Sequence, residues 1–310
     1  MTLQQLLYAV TVADHESMNR AAQALFLSQS SLSASIQNLE QEIGLSIFRR
    51  TNRGVTITPE GEEFLVYARQ IVRQYKLAEE KYIEKKESKK QFSVSTQHYT
   101  FAIKAFIAMA KQCSLDQYAF GIYECKTAEI LENVRNYKSE LGVLYIDDFN
   151  REIMARLLAD NGLRFTELFA CNTYVFLAAG HPLAGRSCLT LEELSPYPCL
   201  SFDQGSNQSF YLAEEVYSTY HYRQLIKASD RATLLNLMVG LNGYTLCSGI
   251  LCEELNGTGY RVIPLQSDKV MHIGYVQREG AVVSPLAAAY IAELQKCNVN
   301  VLRGAAAPGG

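Results

Sequence analysis

Between residues 28 and 34 the chain reads Ser-Gln-Ser-Ser-Leu-Ser-Ala, a run of short polar side chains able to meet the edges of bases. The Gln29 carboxamide can pair with adenine through two hydrogen bonds, the serines can reach bases or phosphates, and Ala34 offers only methyl contact, for example to thymine. Farther on, IFRRTNRGVTITPEG gathers Arg49, Arg50 and Arg53 on one short stretch, which suits phosphate or minor-groove contact. Three later polar segments offer a different chemistry: Ser95-Thr96-Gln97-His98, Lys126-Thr127 and Ser201-Phe202-Asp203-Gln204. Each follows a strand-like run (FSV, AFGIYE, PYPCL), and α/β folds bind small ligands at such carboxyl ends. The candidate ligand contacts are therefore Thr96, Gln97, His98, Lys126, Thr127, Ser201, Phe202 and Gln204. Free N–H groups at a helix start favour an anion, and with Lys126 close by they lean towards a small carboxylate. Plainer roles stand beside these. Thr96 and Ser201 also fit as helix or turn caps, Lys126 as a solvated charge, and His98 as a surface or pocket residue rather than a catalyst. Asp230 and Arg231 read first as a helix cap and an exposed charge.

The first group needs helices to present it. Thr2 and Gln5 form a capping box ahead of Leu3, Leu6, Leu7, Val10 and Ala13, so a helix is expected over about Leu3 to Ala13. Ser17 caps a second helix with Ala21, Ala22 and Leu25 inward, ended by Phe26-Leu27. Ser28 caps a third with Leu32, Ile36, Leu39 and Ile43 inward and Gly44 closing it. Two short helices on a tight turn are a helix-turn-helix, and the alanines let them approach closely. Phe48–Arg50 and Val55–Ile57 read as the arms of a hairpin wing. Thr58-Pro59-Glu60 restarts a helix on which Phe64, Ala68, Ile71, Tyr75, Ala78 and Tyr82 form a heptad seam. A seam of that length asks for a partner, most simply the same helix of a second subunit. The charged stretch Lys81 to Gln91 closes this region as a linker.

After residue 91 strand-like runs (FSVS, AFGIYE, LGVLYI, TYVFLA, RQLIKA, YTLCS, YRVIPL, MHIGYV) alternate with helical patterns, which argues for parallel sheets covered by helices. Ser284 and Pro285 open a final helix ending near Cys297, and residues 304–310 are expected to be a disordered tail.

Composition excludes several classes. In 310 residues, 48% apolar and 20% charged fit a folded chain of about two domains. No apolar run is long enough for a membrane span, the N-terminus does not read as a secretory signal, and a cytoplasmic setting is expected. The eight cysteines show no metal-knuckle spacing, and the five histidines do not cluster as ligands; no metal and no cofactor is expected. Net charge is −3, and residues 1–58 hold four acidic and four basic side chains, so any grip on nucleic acid depends on three arginines sharing one hairpin.

The run AAQALFLSQSSLSASIQNLEQEIGLSIFRRTNRGVTITPEG resembles the N-terminal signature of LysR-type transcriptional regulators, and residues 1 to about 85 match it closely. The remainder is similar in length and rhythm, including GHPLA and VGLNGYTLCSG. The resemblance implies a winged helix-turn-helix in residues 1–58, a linker and dimerisation helix in 59–90, and a two-lobed effector domain built like a periplasmic binding protein in 91–303. Lobe I would take about 91–164 and 269–303 and lobe II about 165–268, with the chain crossing near Arg164–Leu168 and returning near Leu265–Lys269. By position, the resemblance assigns Asn19, Arg20, Gln29, Ser30, Ser33, Arg50 and Arg53 to DNA. The family commonly carries Pro where this chain has Ser30 and often Arg where it has Ala34; losing an Arg removes a strong base or phosphate contact. The implied partners are double-stranded DNA, a small-molecule effector between the lobes, further copies of the chain up to a homotetramer, and RNA polymerase. A cysteine redox sensor is the alternative, with Cys199 and Cys188 as its thiols; a solute-binding protein and an enzyme follow, the latter weakened by the lack of a nucleophile elbow, Walker loop or dinucleotide fingerprint.

Overall fold

The computed structural model describes residues 1–51, 54–83, 90–113, 117–205 and 210–297. The expected tail at 304–310 and wing residues Asn52 and Arg53 lie outside the described residues. The chain forms two compact units, Met1–Lys90 and Gln91–Gly310.

In the first unit α1 (Leu3–His15) starts on the Thr2–Gln5 capping box, α2 (Met18–Ala24) on Ser17, and α3 (Gln29–Ile43) on Ser28; α3 ends on Gly44 at φ 72°. Ala21 and Ala22 are buried between them, so at these two positions only a methyl group separates α2 from its neighbours. The wing is an antiparallel pair, β1 (Phe48–Thr51) and β2 (Gly54–Ile57), in register from Phe48–Ile57 to Thr51–Gly54. Glu40 of α3 fixes its root, accepting from the backbone N–H groups of Ile47 and Phe48 at 2.7 and 3.0 Å. Val55 N–H donates to the Glu16 carbonyl at 3.1 Å, tying the wing to the α1–α2 turn.

Helix α4 (Pro59–Tyr82) is capped by Thr58 with Pro59 at its first turn. The expected seam divides here. Ala68, with Val72, is buried on the face that meets Leu6 of α1, whereas Tyr67, Ile71 and Tyr75 stand exposed. The reason is geometric: Ala68 and Val72 are one turn apart and supply the contact α1 needs, so the free stripe runs one position over. The Tyr82 side chain is outside the described residues. Gly61 permits the start of α4 to lie against Ile47, just ahead of β1, since a Cβ there would come within 2.2 Å of the Ile47 carbonyl oxygen.

The second unit contains two five-stranded sheets. One has the order β4-β3-β5-β12-β6, from β3 (Lys90–Thr96), β4 (Tyr118–Glu124), β5 (Leu141–Ile146), β6 (Leu163–Asn172) and β12 (Val270–Arg278). The other has the order β11-β7-β10-β8-β9, from β7 (Tyr174–Ala178), β8 (Cys199–Phe202), β9 (Leu225–Ala228), β10 (Tyr244–Cys247) and β11 (Tyr260–Pro264). Helices α5 (Thr100–Gln112), α6 (Thr127–Arg135), α7 (Arg151–Asp160) and α11 (Pro285–Lys296) belong with the first sheet; α8 (Leu191–Leu194), α9 (Arg231–Leu241) and α10 (Glu253–Asn256) belong with the second. Both sheets are mixed rather than parallel: β3 and β5 run parallel, but β12 runs antiparallel to β5 and β6, and β10 antiparallel to β7.

The crossing between lobes is also later than Arg164–Leu168. Strand β6 keeps pairing with β12 as far as Asn172, so the turn into lobe II falls at Thr173. Thr173 and the return segment share hydrogen bonds, Leu265 N–H to the Thr173 carbonyl at 3.1 Å and Thr173 Oγ1 to the Lys269 carbonyl at 3.2 Å, which makes the two crossings one paired hinge. No described helix is long and apolar enough to cross a membrane.

Replacing Gly61 by Ala is expected to lower unfolding stability by about 1–3 kcal/mol, because the backbone of Ile47 must move to admit the methyl group. Denaturant unfolding of the full chain checks this; an unchanged midpoint would mean α4 has room to shift.

Candidate functional site

The start of α3 presents Ser28, Gln29, Ser30 and Ser31 to solvent. Ser28 is committed to the helix end, its hydroxyl accepting from Ser31 N–H at 3.1 Å and lying 3.0 Å from the Ser30 Oγ. Ser33 is mostly buried and accepts from Gln29 Nε2 at 3.1 Å. Its position beneath Gln29 corrects its reading as a direct contact: it holds the carboxamide rather than facing outward. Asn19 and Arg20 at the start of α2 are exposed on the same unit. Arg50 lies on β1, its side chain outside the described residues, as is all of Arg53. Phe26, in the α2–α3 turn at φ 56°, is 96% exposed.

In the second unit the polar segments converge where the lobes meet, but mostly on one another. Gln97 is buried: its Oε1 accepts from Tyr145 N–H and from the Tyr99 hydroxyl, both at 3.0 Å, and its Nε2 donates to Thr127 Oγ1 at 2.7 Å. Thr96 is fully buried and donates to the Gln97 carbonyl at 2.8 Å. Gln204 crosses from lobe II, with Oε1 accepting from Thr127 N–H at 3.0 Å and Nε2 donating to Glu214 at 2.8 Å. Glu214 accepts from His98 N–H at 2.9 Å and lies 2.9 Å from His98 Nδ1. The His98 ring stacks on Phe202, centroids 3.8 Å apart and 6° from parallel. Ser201 Oγ and Phe202 N–H donate to Glu215 at 3.0 and 2.9 Å.

Two expectations change. Lys126 lies on the rim and pairs with Asp203 at 3.4 Å; Asp203 is held below the usual carboxylate range by Gly205 N–H and then by Lys126. The first N–H of α6 is taken by Gln204, and the His98 N–H just ahead of α5 by Glu214. The lean towards a carboxylate ligand therefore loses support at α6 and at Lys126. Arg231 is not a free surface charge: it pairs with Glu124 across the cleft and donates to Thr100 Oγ1 at 2.6 Å. Asp230 does cap α9, accepting from Thr233 N–H at 2.9 Å.

Behind this clasp lies a cavity of about 80 Å³. Its wall includes His98 and Phe202 from the expected set, with Glu214, Glu215, Thr245 and Asn256, which the sequence reading missed. The one local signal was the pair Glu214-Glu215 set between Leu212 and Val216, acids inside an apolar frame. Burial, then the neighbouring Glu214, pushes the Glu215 carboxyl up to about 8.

The cysteines are all free. Burial pushes the Cys199 thiol up to about 12, so it is protonated at neutral pH, the reverse of what a thiolate-based peroxide sensor needs.

These features define a class: a protein with a winged helix-turn-helix in one unit and a two-lobed ligand cleft in the other. Comparison with known proteins gives the family. Residues 3–62 match the bacterial regulatory helix-turn-helix proteins of the lysR family, and residues 95–297 match the LysR substrate binding domain. The chain belongs to the LysR family of DNA-binding transcriptional regulators. It is 25% identical over 304 residues to the transcriptional dual regulator OxyR of Escherichia coli (strain K12), covering 94% of this chain and 92% of that one. It is 28% identical over 220 residues to the RuBisCO operon transcriptional regulator of Allochromatium vinosum, covering 66% of this chain and 65% of that one. Its fold is shared with a full-length OxyR variant from Pseudomonas aeruginosa (TM-score 0.62, 20% identity, 96% of this chain and 94% of that). It is shared also with full-length CbnR complexed with its target DNA (TM-score 0.58, 15% identity, 96% of this chain and 100% of that).

The Glu215 carboxyl makes stability depend on pH in a stated direction. Unfolded, it titrates near 4.5; folded, near about 8, so between those values the folded chain holds the extra proton. Raising the pH through that window therefore costs stability. Glu215→Gln, which keeps the shape of the protonated acid, is expected to flatten the decline of melting temperature between pH 5 and 8, a window set by that shift. Thermal melts across that range decide it; equal slopes for both chains would contradict the assignment.

Proposed function

We propose that this regulator reads DNA with the exposed start of α3 and grips phosphate with Asn19, Arg20, Arg50 and Arg53, as a cytoplasmic, effector-controlled switch of transcription. The single observation that carries the reading is the exposed Gln29 carboxamide, held over a buried Ser33 at the N-terminal end of α3. Direct readout by a recognition helix needs a polar group of that kind, pre-oriented and free of bulk around it. Ser30 beside it meets base or backbone.

In this reading residues 1–58 are the DNA-binding domain, 59–90 the dimerisation helix and 91–303 the regulatory domain. The exposed stripe Tyr67, Ile71 and Tyr75 of α4 supports pairing with the same helix of a second copy. A two-fold pair then carries two reading heads, and two such pairs give the tetramer. RNA polymerase is a further partner of the assembled regulator. The cleft serves binding and not catalysis: its histidine, His98, is engaged by Glu214 and covered by Phe202. An effector held between the lobes shifts a population of lobe arrangements about the paired hinge at Thr173.

Two substitutions separate the roles. Arg53→Ala should weaken binding to all duplexes alike and reduce the salt slope, d log K/d log[salt], by about one. Gln29→Ala should instead cost about 1–3 kcal/mol only at sites carrying the preferred base, and so blur the binding-site profile selected from a random duplex library. An unchanged profile in Gln29→Ala would show that α3 is docked differently.

A further inference from the structure

We propose that the cleft cavity takes a small organic cation, an amine on a short apolar body. This rests on the reading of the cleft as the effector site and gives that site its ligand class. The cavity wall carries acceptors in excess. Glu214 and Glu215 both reach the wall, and the guanidinium and imidazole that share it are already engaged: Arg231 by Glu124, and His98 by Glu214. Two further polar atoms on the same wall, Thr245 Oγ1 and Asn256 Oδ1, are buried and have no hydrogen-bond partner among the described residues. Thr245 is only 6% exposed. An amide oxygen can only accept, so Asn256 calls for a donor, and a hydroxyl can accept from the same group. Buried polar groups left unmatched cost about 1–3 kcal/mol each, so a ligand that supplies donors to them gains that back.

A carboxylate is the wrong complement. It brings acceptors to a wall already rich in acceptors, and a charge of the same sign as the Glu214 carboxylate. An ammonium group brings three donors and the opposite charge. The rest of the wall fits an apolar body: Phe101, Phe176, Leu234 and Leu235 line it with Phe202, and an aromatic face also attracts a cation. A site of about 80 Å³ holds a body of about five to eight non-hydrogen atoms, taking about 10–15 Å³ for each water-sized centre.

Proton balance follows from the geometry. Near neutral pH Glu215 holds its proton, since burial and Glu214 raise it to about 8. The other titratable groups around it, Tyr99, Tyr145, Cys199 and Tyr222, are themselves pushed up by burial and stay neutral. An ammonium ion entering beside Glu215 favours the carboxylate, so the acid's proton leaves to solvent as the ion pair forms.

The test is calorimetric titration of the full chain at pH 7 with n-butylammonium, 1-butanol and butanoate, each in two buffers of different ionisation enthalpy. n-Butylammonium should saturate one site per chain, bind about tenfold or more tightly than 1-butanol, and release a proton, while butanoate shows no saturation. Glu215→Gln should weaken the amine by about tenfold or more and abolish proton release; Thr245→Val, which keeps shape, should weaken it without affecting release. If butanoate or 1-butanol binds as tightly as the amine and Thr245→Val alters that binding, the ligand class is wrong and the cleft reading stands. If none of the three binds, or the amine ignores both substitutions, the cleft reading falls with it.

Discussion

The regulatory unit depends on where the Glu214 carboxylate sits. It belongs to lobe II, yet its donors are the His98 backbone and ring of lobe I, together with Gln204. Gln204 passes the connection to Thr127, Thr127 to Gln97, and Gln97 to the backbone of β5 through Tyr145. One continuous set of hydrogen bonds therefore runs from a loop of one lobe to the central sheet of the other. Such a buried, charge-assisted set adds little net stability over an apolar contact, but removing one member is expensive, about 3–5 kcal/mol. It favours one arrangement of the lobes and penalises partial ones.

The same placement fixes the electrostatics of the cleft. A helix start is a natural home for an anion, and here the chain provides its own. The Gln204 carbonyl oxygen takes the first N–H of α6, and Glu214 takes the His98 N–H just ahead of α5. Lys126 and Arg231, the nearby cations, are drawn to Asp203 and Glu124. Glu215 is left without a cation, buried, and protonated near neutrality. A cleft closed by its own carboxylate is thus poorly matched to acids and open to groups that donate.

Much of the DNA-reading unit is legible in the sequence because its rules are local. Thr2–Gln5, Ser17, Ser28, Gly44 and Thr58–Pro59 each mark a helix end through side-chain or backbone geometry within a few residues. The heptad stripe was read correctly as apolar but not divided, because only the packing of α1 shows that Ala68 turns inward. In the regulatory unit the strands were visible as apolar runs. Their directions were not, since a return strand such as β12 pairs with β5 and β6 across more than a hundred residues. The hinge was placed early because β6, with charged and apolar residues mixed, does not look like a strand until its partner is known. That Gln97, Thr127, Phe202 and Gln204 come together where the lobes meet is legible from their position after strands. The burial of Glu214 and Glu215 is not legible, for adjacent acids in a loop look solvated until His98, Ser201, Phe202 and Gln204 are seen to engage them.

The central claim is that Glu214 and Gln204 clasp the lobes together in the chain as it stands. Backbone hydrogen exchange of the full-length protein tests it most directly. His98 and Thr127 amides, whose acceptors are these two side chains, should be protected, and Glu214→Ala and Gln204→Ala should each speed their own amide by about tenfold or more. The Gln97 amide, bonded to the Val143 carbonyl within lobe I, should stay slow in both variants. If His98 and Thr127 already exchange at the rate of an open loop in the unsubstituted protein, the lobes are not clasped and the account fails.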